Sequence, residues 1–194
     1  MTQIVHEHPT LSPLTGTQLD DPPHIEWTLE RLIEACRIKG IRFDETHNLT
    51  SLQGFAVSCG RTVLINVRAN LPREEKLFTL AHELGHIALG RMYTTTVGEV
   101  LDWLDTSLAA FQDAAQETSA DLWAAHLLVP PELFAAHYAA AKERMATSPE
   151  EDILASAMRQ TARSLGVLPH VVEIWYAHRD ECPVPAPASW LNGV

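Results

Sequence analysis

The segment Leu77–Gly90, LFTLAHELGHIALG, constrains this chain more than any other. It sets two histidines and a glutamate in an otherwise apolar run, where such side chains are costly unless something satisfies them. His82-Glu83-Leu84-Gly85-His86 has the H-E-x-x-H spacing. On a helix of ~3.6 residues per turn, residues four apart lie about 40° apart, so His82 and His86 point the same way one turn apart. Two imidazoles so placed suit one Zn²⁺, whose bonds to histidine nitrogen are ~2.0–2.1 Å long. Glu83 lies about 100° round the helix from His82. That offset keeps it off the metal and lets it act as general base toward a water held there. Leu77, Leu80, Leu84, Ile87 and Ala88 gather opposite the histidines, with Phe78 and Leu89 nearer to them, so a buried central helix with one polar seam is predicted. Gly85 costs about 1 kcal/mol against Ala in mid-helix, so its presence predicts close approach by another element or by substrate.

Two histidines leave a catalytic zinc site one protein ligand short. The stretch QETSADLWAAHLLVPPELF supplies the best third ligand, Glu117. Glu117, Asp121, Ala124 and Leu128 share one helical face, and the small residues Ala120 and Ala124 let that face pack tightly on the histidine helix. Asp121, one turn beyond Glu117, is placed to accept the outer N–H of a ligating histidine and fix its tautomer. Asp102, Asp105 and Asp113 are poorer ligand candidates because they fall in a less regular region. A donor that stabilises the transition state is also needed. Tyr93 and His126 are candidates, with His137 and Tyr138 behind them. His126 lies about 180° from Glu117 on its helix, which counts against it.

The remaining pattern places these motifs. Residues 1–23, with four prolines and no periodicity, read as a flexible arm; its His6-Glu7-His8 triplet reads as solvated. A single domain is expected over 24–181. Leu29, Leu32, Ile33 and Cys36 mark a helix over Ile25–Lys39, stopped by Gly40. GFAVSCGRTVLINV alternates as two antiparallel strands turning at Cys59-Gly60, with a third strand near Ile41–Phe43. Asn70 is the expected N-cap of the histidine helix, with Pro72 in its first turn and its end near Arg91. Residues 94–112 are read as a variable excursion holding one helix. Helices follow at about Asp113–Val129, Pro131–Met145, Glu150–Leu165 and Pro169–Arg179. The tail 182–194 is Pro-rich and predicted extended. The class is therefore α+β: a mainly helical domain with a small, mostly antiparallel sheet beside the histidine helix. The strand Arg61–Val67 leads into that helix and is expected to pair an extended substrate segment by β-addition.

Charge narrows the function. The net charge is −11, from 14 Lys+Arg against 25 Asp+Glu. Without a long basic run, such a chain is poorly suited to grip phosphate backbones, so direct nucleic-acid binding is not expected. No apolar run reaches the ~18 residues of a membrane span. The first ten residues lack a basic stretch followed by an apolar one, and the three widely spaced cysteines fit reduced thiols, so a cytoplasmic setting is expected.

FTLAHELGH, together with E-x-x-A-D-x-x-A-A-x-L-L-x-P over Glu117–Pro130 and the upstream helix–Gly–strand–strand order, resembles the ImmA/IrrE family of metallo-endopeptidases. Glu117-x-x-x-Asp121 is also similar to the gluzincin arrangement. The resemblance covers about Ile25 to Arg179. It implies a zincin-like fold and a cytoplasmic endopeptidase that cleaves a cognate XRE-type helix-turn-helix repressor, relieving repression in a stress or mobile-element response. Carried over by residue, it makes His82, His86 and Glu117 the ligands and Glu83 the base. Zinc is the expected metal, with manganese associated with some relatives. The competing reading is a metal-binding anti-repressor that sequesters its partner without cutting it. The pair of helices over about 150–179 superficially resembles a helix-turn-helix, but Glu173 and Asp180 and a lack of base-reading side chains favour packing or partner contact.

Overall fold

The structure is a computed structural model that describes residues 26–49, 51–95, 113–181 and 183–191, without the side chains of residues 93–95 and 188. The expected N-terminal arm, the excursion over 96–112 with Asp102 and Asp105, and Cys182 lie outside the described residues. The elements run α1 (Leu29–Ile38), β1 (Ile41–Thr46), β2 (Gly54–Cys59), β3 (Thr62–Arg68), α2 (Arg73–Ala88), β4 (Tyr93–Thr95), α3 (Ala114–Leu128), α4 (Pro131–Arg144), α5 (Glu150–Leu165), α6 (Pro169–Ala177) and α7 (Pro187–Leu191). The mainly helical α+β class is as expected.

Helix boundaries follow local chemistry. Thr28 caps α1, its hydroxyl oxygen accepting from the Arg31 N–H at 3.3 Å. Asp113, considered above as a ligand, caps α3 instead by accepting from the Ala115 N–H at 2.9 Å. Asn70 does not cap α2. Pro72, in extended conformation, precedes the first helical residue, and Glu74 and Glu75 face the positive end of the helix dipole in its place. The helix ends at Ala88, short of Arg91, because Gly90 turns to a φ of +67° and the Arg91 N–H then closes onto the His86 carbonyl at 2.8 Å.

The sheet order is β1-β3-β2-β4. The β2–β3 pair is the expected antiparallel hairpin, joined by the two-residue loop Gly60-Arg61, with Gly60 at a φ of +61°. The sheet is nevertheless mixed rather than mostly antiparallel, since β1 pairs β3 in parallel and β4 pairs β2 in parallel. The chain passes from β1 to the far side of β3's place before the hairpin brings β3 back into the middle. Alternation along a strand fixes which face is buried and leaves the choice of neighbour open. This corrects the expectation for strand Arg61–Val67: β3 is flanked on both sides and offers no edge. The edge near the histidine helix belongs to β2. The Arg68 N–H donates to the Gln53 carbonyl at 2.8 Å, so residues 53, 55 and 57 turn their backbone groups to β3, and Gly54 and Ala56 turn theirs outward. β4 pairs Val57–Cys59, a register that takes up the Ala56 carbonyl, and among the described residues no strand pairs with the outward groups of Gly54.

α2 runs through the middle of the molecule between α1, the sheet and α3. Leu77, Leu80, Ala81 and Leu84 are buried in one continuous core with Ile65 and Val67 of β3 and Trp123 and Ala124 of α3. Leu80 and Leu84 are fully enclosed, so cutting either to Ala costs roughly 2–5 kcal/mol. α3 lies very close to α2: a Cβ placed on Gly85 would sit 3.0 Å from the Ala120 carbonyl oxygen and 3.2 Å from its Cα. The neighbour that Gly85 admits is thus the backbone of α3.

α4 and α5 pair, and α6 packs Val171, Val172 and Trp175 inward. The C-terminal segment is not extended throughout. Pro187–Leu191 is helical, Leu191 is buried, and the Trp190 ring meets Trp123 edge-on at 5.7 Å. The Trp123 indole N–H donates to the Pro185 carbonyl at 3.0 Å.

Candidate metal centre

The close contact of Gly85 with Ala120 carries Glu117 and Asp121, on the same face of α3, over the histidine seam of α2. His82 Nε2 and His86 Nε2 are 3.0 Å apart. A Glu117 carboxylate oxygen lies 3.1 Å from His82 Nε2, and the other lies 3.5 Å from His86 Nε2. These three side chains, partly buried, offer their ligand atoms within 4.8 Å of one another. Two ring nitrogens this close share either a proton, as an N–H···N hydrogen bond, or a cation. One carboxylate and two imidazoles make a donor set that suits Zn²⁺, and the residues therefore fit a divalent cation.

Asp121 Oδ1 is 2.8 Å from His82 Nδ1. A neutral His82 donates its Nδ1–H there, which leaves the Nε2 lone pair aimed at Glu117 and His86. His86 Nδ1 is buried with no hydrogen-bond partner among the described residues. Without a metal, burial alone pushes the His82 pKa down. The hydrogen bonds of Asp121 and Glu117 and the charge of Glu83 more than reverse this, raising it to about 10. His86 moves the other way, lowered by burial and then by the positive charge on His82. The metal-free pair thus holds one proton, on His82. Glu117 is held below the usual carboxylate range, first by its hydrogen bond with His82.

Glu83 sits beside these three and touches neither histidine ring nitrogen among the hydrogen bonds of the site. It is 6% exposed and its carboxyl is pushed up to about 7 by burial, opposed by the charge on His82 and assisted by the charge on Glu117. It accepts a hydrogen bond from the backbone of Ala56 on β2. A cleft of about 240 Å³ opens here, with Ser51–Gly54 on one wall, Phe78, Thr79, His82 and Glu83 on the floor, and Glu117 and Asp121 on the other wall.

The sequence-based candidates divide clearly. His82, Glu83, His86, Glu117 and Asp121 are brought together. His126 is not: its Nε2 lies 3.1 Å from the His178 carbonyl, and burial lowers its pKa. Tyr138 stacks on Phe134 within α4. The side chain of Tyr93 lies outside what the structure describes. The Ser51–Gly54 wall was not anticipated; the one signal for it is a glycine opening an apolar alternation, which marks close backbone approach. Exposed His170 meets Phe78 edge-on at 5.2 Å, bringing the start of α6 beside the cleft.

The family model for the IrrE N-terminal-like domain, a peptidase family, matches residues 34–147. The chain belongs to the IrrE N-terminal-like peptidase family. The match contains both site helices, α2 and α3, and all five converging side chains. It ends before α5, so α5, α6 and the docked C-terminal segment lie beyond the matched residues. No curated protein matches the chain. Membership carries a metallopeptidase-like function, and the His82, His86 and Glu117 cluster is where an IrrE-like domain of this sequence can hold a metal. Among the described residues, no helix is long and apolar enough to cross a membrane.

Proposed function

We propose that the protein is a metal-dependent endopeptidase, zinc-type with manganese as the alternative ion, that cleaves an XRE-type helix-turn-helix repressor in the cytoplasm and so relieves repression in a stress or mobile-element response. The observation that carries the reading is the convergence of His82, His86 and Glu117 with a buried, unliganded carboxylate, Glu83, at the floor of an open cleft. A purely structural ion needs no such carboxylate. Burial raises the Glu83 carboxyl above the ordinary carboxylate range, which suits a group that must take up a proton and pass it on.

The bound ion would be held by His82 Nε2, His86 Nε2 and the Glu117 carboxylate, and supplies Lewis-acid polarisation of the scissile carbonyl and of water. Glu83 takes the proton of the attacking water and delivers it to the leaving amine. Asp121 holds the His82 tautomer. Ser51–Gly54 borders the cleft, and the outward N–H and C=O of Gly54 are unclaimed by any strand among the described residues, which suits an extended peptide segment laid along the start of β2. A net charge of −11 favours encounter with a basic, DNA-binding partner.

The test is to incubate the purified chain with zinc or manganese and an XRE-type repressor from the same genome, and to seek fragments by mass spectrometry. Cleavage by the wild type and none by Glu83→Gln supports the reading. Tight binding with the repressor left intact under both metals contradicts it and favours sequestration.

A further inference from the structure

Gly54 opens β2 on the wall of the cleft, and it is not an ordinary strand glycine. A Cβ built on it would lie 2.5 Å from Thr79 Cγ2, 3.1 Å from the Asn66 carbonyl oxygen and 3.3 Å from Glu83 Oε1. The first distance is one that real Cβ atoms do not show, and the last two are tighter than ordinary van der Waals contact. Gly54 therefore lets the strand lie directly against the α2 turn that bears Thr79 and Glu83. Two residues on, Ala56 turns its backbone N–H outward toward the same carboxylate. One short piece of β2 thus borders the Glu83 carboxylate: a Cβ at Gly54 would encroach on Oε1, and the Ala56 backbone N–H is its hydrogen-bond donor from the strand.

We propose that Gly54 is a positioning residue for Glu83, setting where the general base sits relative to the cleft by allowing β2 to close onto its carboxylate. The proposal rests on Glu83 being the base of the peptidase reading, but the contact itself is a property of the fold and is measured without substrate. The three atoms nearest a Cβ at Gly54 include Glu83 Oε1 and none of His82, His86 or Glu117, so its effect falls first on the base.

Two roles are separable, because the contacts differ. If Gly54 merely makes room for Thr79, removing Thr79 Cγ2 relieves the closest contact and leaves the Ala56 amide as it was, the remaining 3.1 Å approach being to the Asn66 carbonyl of β3. If it positions Glu83, the 3.3 Å encroachment on Oε1 survives that removal. The experiment compares Gly54→Ala, Thr79→Ser, the double variant and Glu83→Gln as zinc-loaded full-length chains. Three quantities are read: the unfolding midpoint, bound zinc per chain, and the hydrogen exchange and chemical shift of the Ala56 amide by NMR. Gly54→Ala is expected to lower the midpoint, and the added Thr79→Ser to recover most of it. In the double variant the Ala56 amide is expected to exchange about tenfold faster than in Thr79→Ser alone and to shift toward its Glu83→Gln position, the loss expected for a hydrogen bond to a charged group. Zinc content stays unchanged.

An Ala56 amide in the double variant that exchanges as slowly as in Thr79→Ser overturns the proposal. A double variant that fails to fold overturns it too, since the strand would then need Gly54 for its closure on Asn66. If the Ala56 result holds while no repressor is ever cleaved, the peptidase reading fails and the positioning contact stands.

Discussion

Asp121 Oδ1 meets His82 Nδ1 at 2.8 Å across the interface between α2 and α3. The contact fixes the imidazole plane and commits its other nitrogen, Nε2, to the point shared with His86 and Glu117. Asp121→Ala is expected to weaken zinc binding by about 10–100-fold, with Asp121→Asn losing less because its amide oxygen still accepts the Nδ1–H. Competition against a chromogenic chelator measures this. An alanine variant that binds zinc as tightly as the wild type removes Asp121 from the site.

The two helices can place these residues only because Gly85 lets their backbones touch. Alanine is the better helix former by about 1 kcal/mol. At this position, however, the added methyl would meet the Ala120 carbonyl oxygen at 3.0 Å, and a backbone group cannot rotate aside. Overpacking of this kind costs roughly 1–3 kcal/mol, so after the helix gain Gly85→Ala is expected to lose up to about 2 kcal/mol net in urea unfolding. A stabilised variant would show that the helices do not approach this closely in solution.

Metal removal has a pH signature. In the metal-free chain His82 is raised from 6.5 to about 10. Its protonated form therefore stabilises the fold fully below about pH 6.5, and this contribution is lost as pH rises toward 10. Glu83, raised from 4.5 to about 7 by burial, adds a loss of its own between those values, where it keeps its proton in the fold and gives it up when unfolded. A bound metal takes the place of the His82 proton and competes best when protons are scarce. The gap in unfolding temperature between zinc-loaded and EDTA-treated protein is expected to widen from about pH 6 to about pH 8.5. A gap that is constant or narrows over that range contradicts the assignment of His82.

Much of the site is legible in the sequence because its parts obey a helical period. His82 and His86 are a turn apart in one helix, and so are Glu117 and Asp121 in another, and the small residues Gly85, Ala120 and Ala124 announce that the two can touch. What escapes is whatever depends on how separate segments are arranged. Alternation marks β1, β2 and β3 as strands, yet it cannot say that β3 lies between the other two, and so the open edge falls to β2 instead of Arg61–Val67. The three-residue β4 is too short to carry a pattern. Asn70 has the chemistry of a cap, but Pro72 fixes the entry to α2 two residues later. Gly54 and Thr79 are a strand residue and a helix residue 25 positions apart in sequence, and only the closed fold brings them against Glu83.

The most direct measurement is the zinc content of the purified chain by mass spectrometry of the metal after dialysis against trace zinc. The account predicts about one zinc per chain in the wild type and in Glu83→Gln, and a loss of most of it in Glu117→Ala and in His82→Ala, since a catalytic site rests on three protein ligands. A wild type that retains no zinc or manganese, or a His82→Ala variant that retains the full complement, would contradict it.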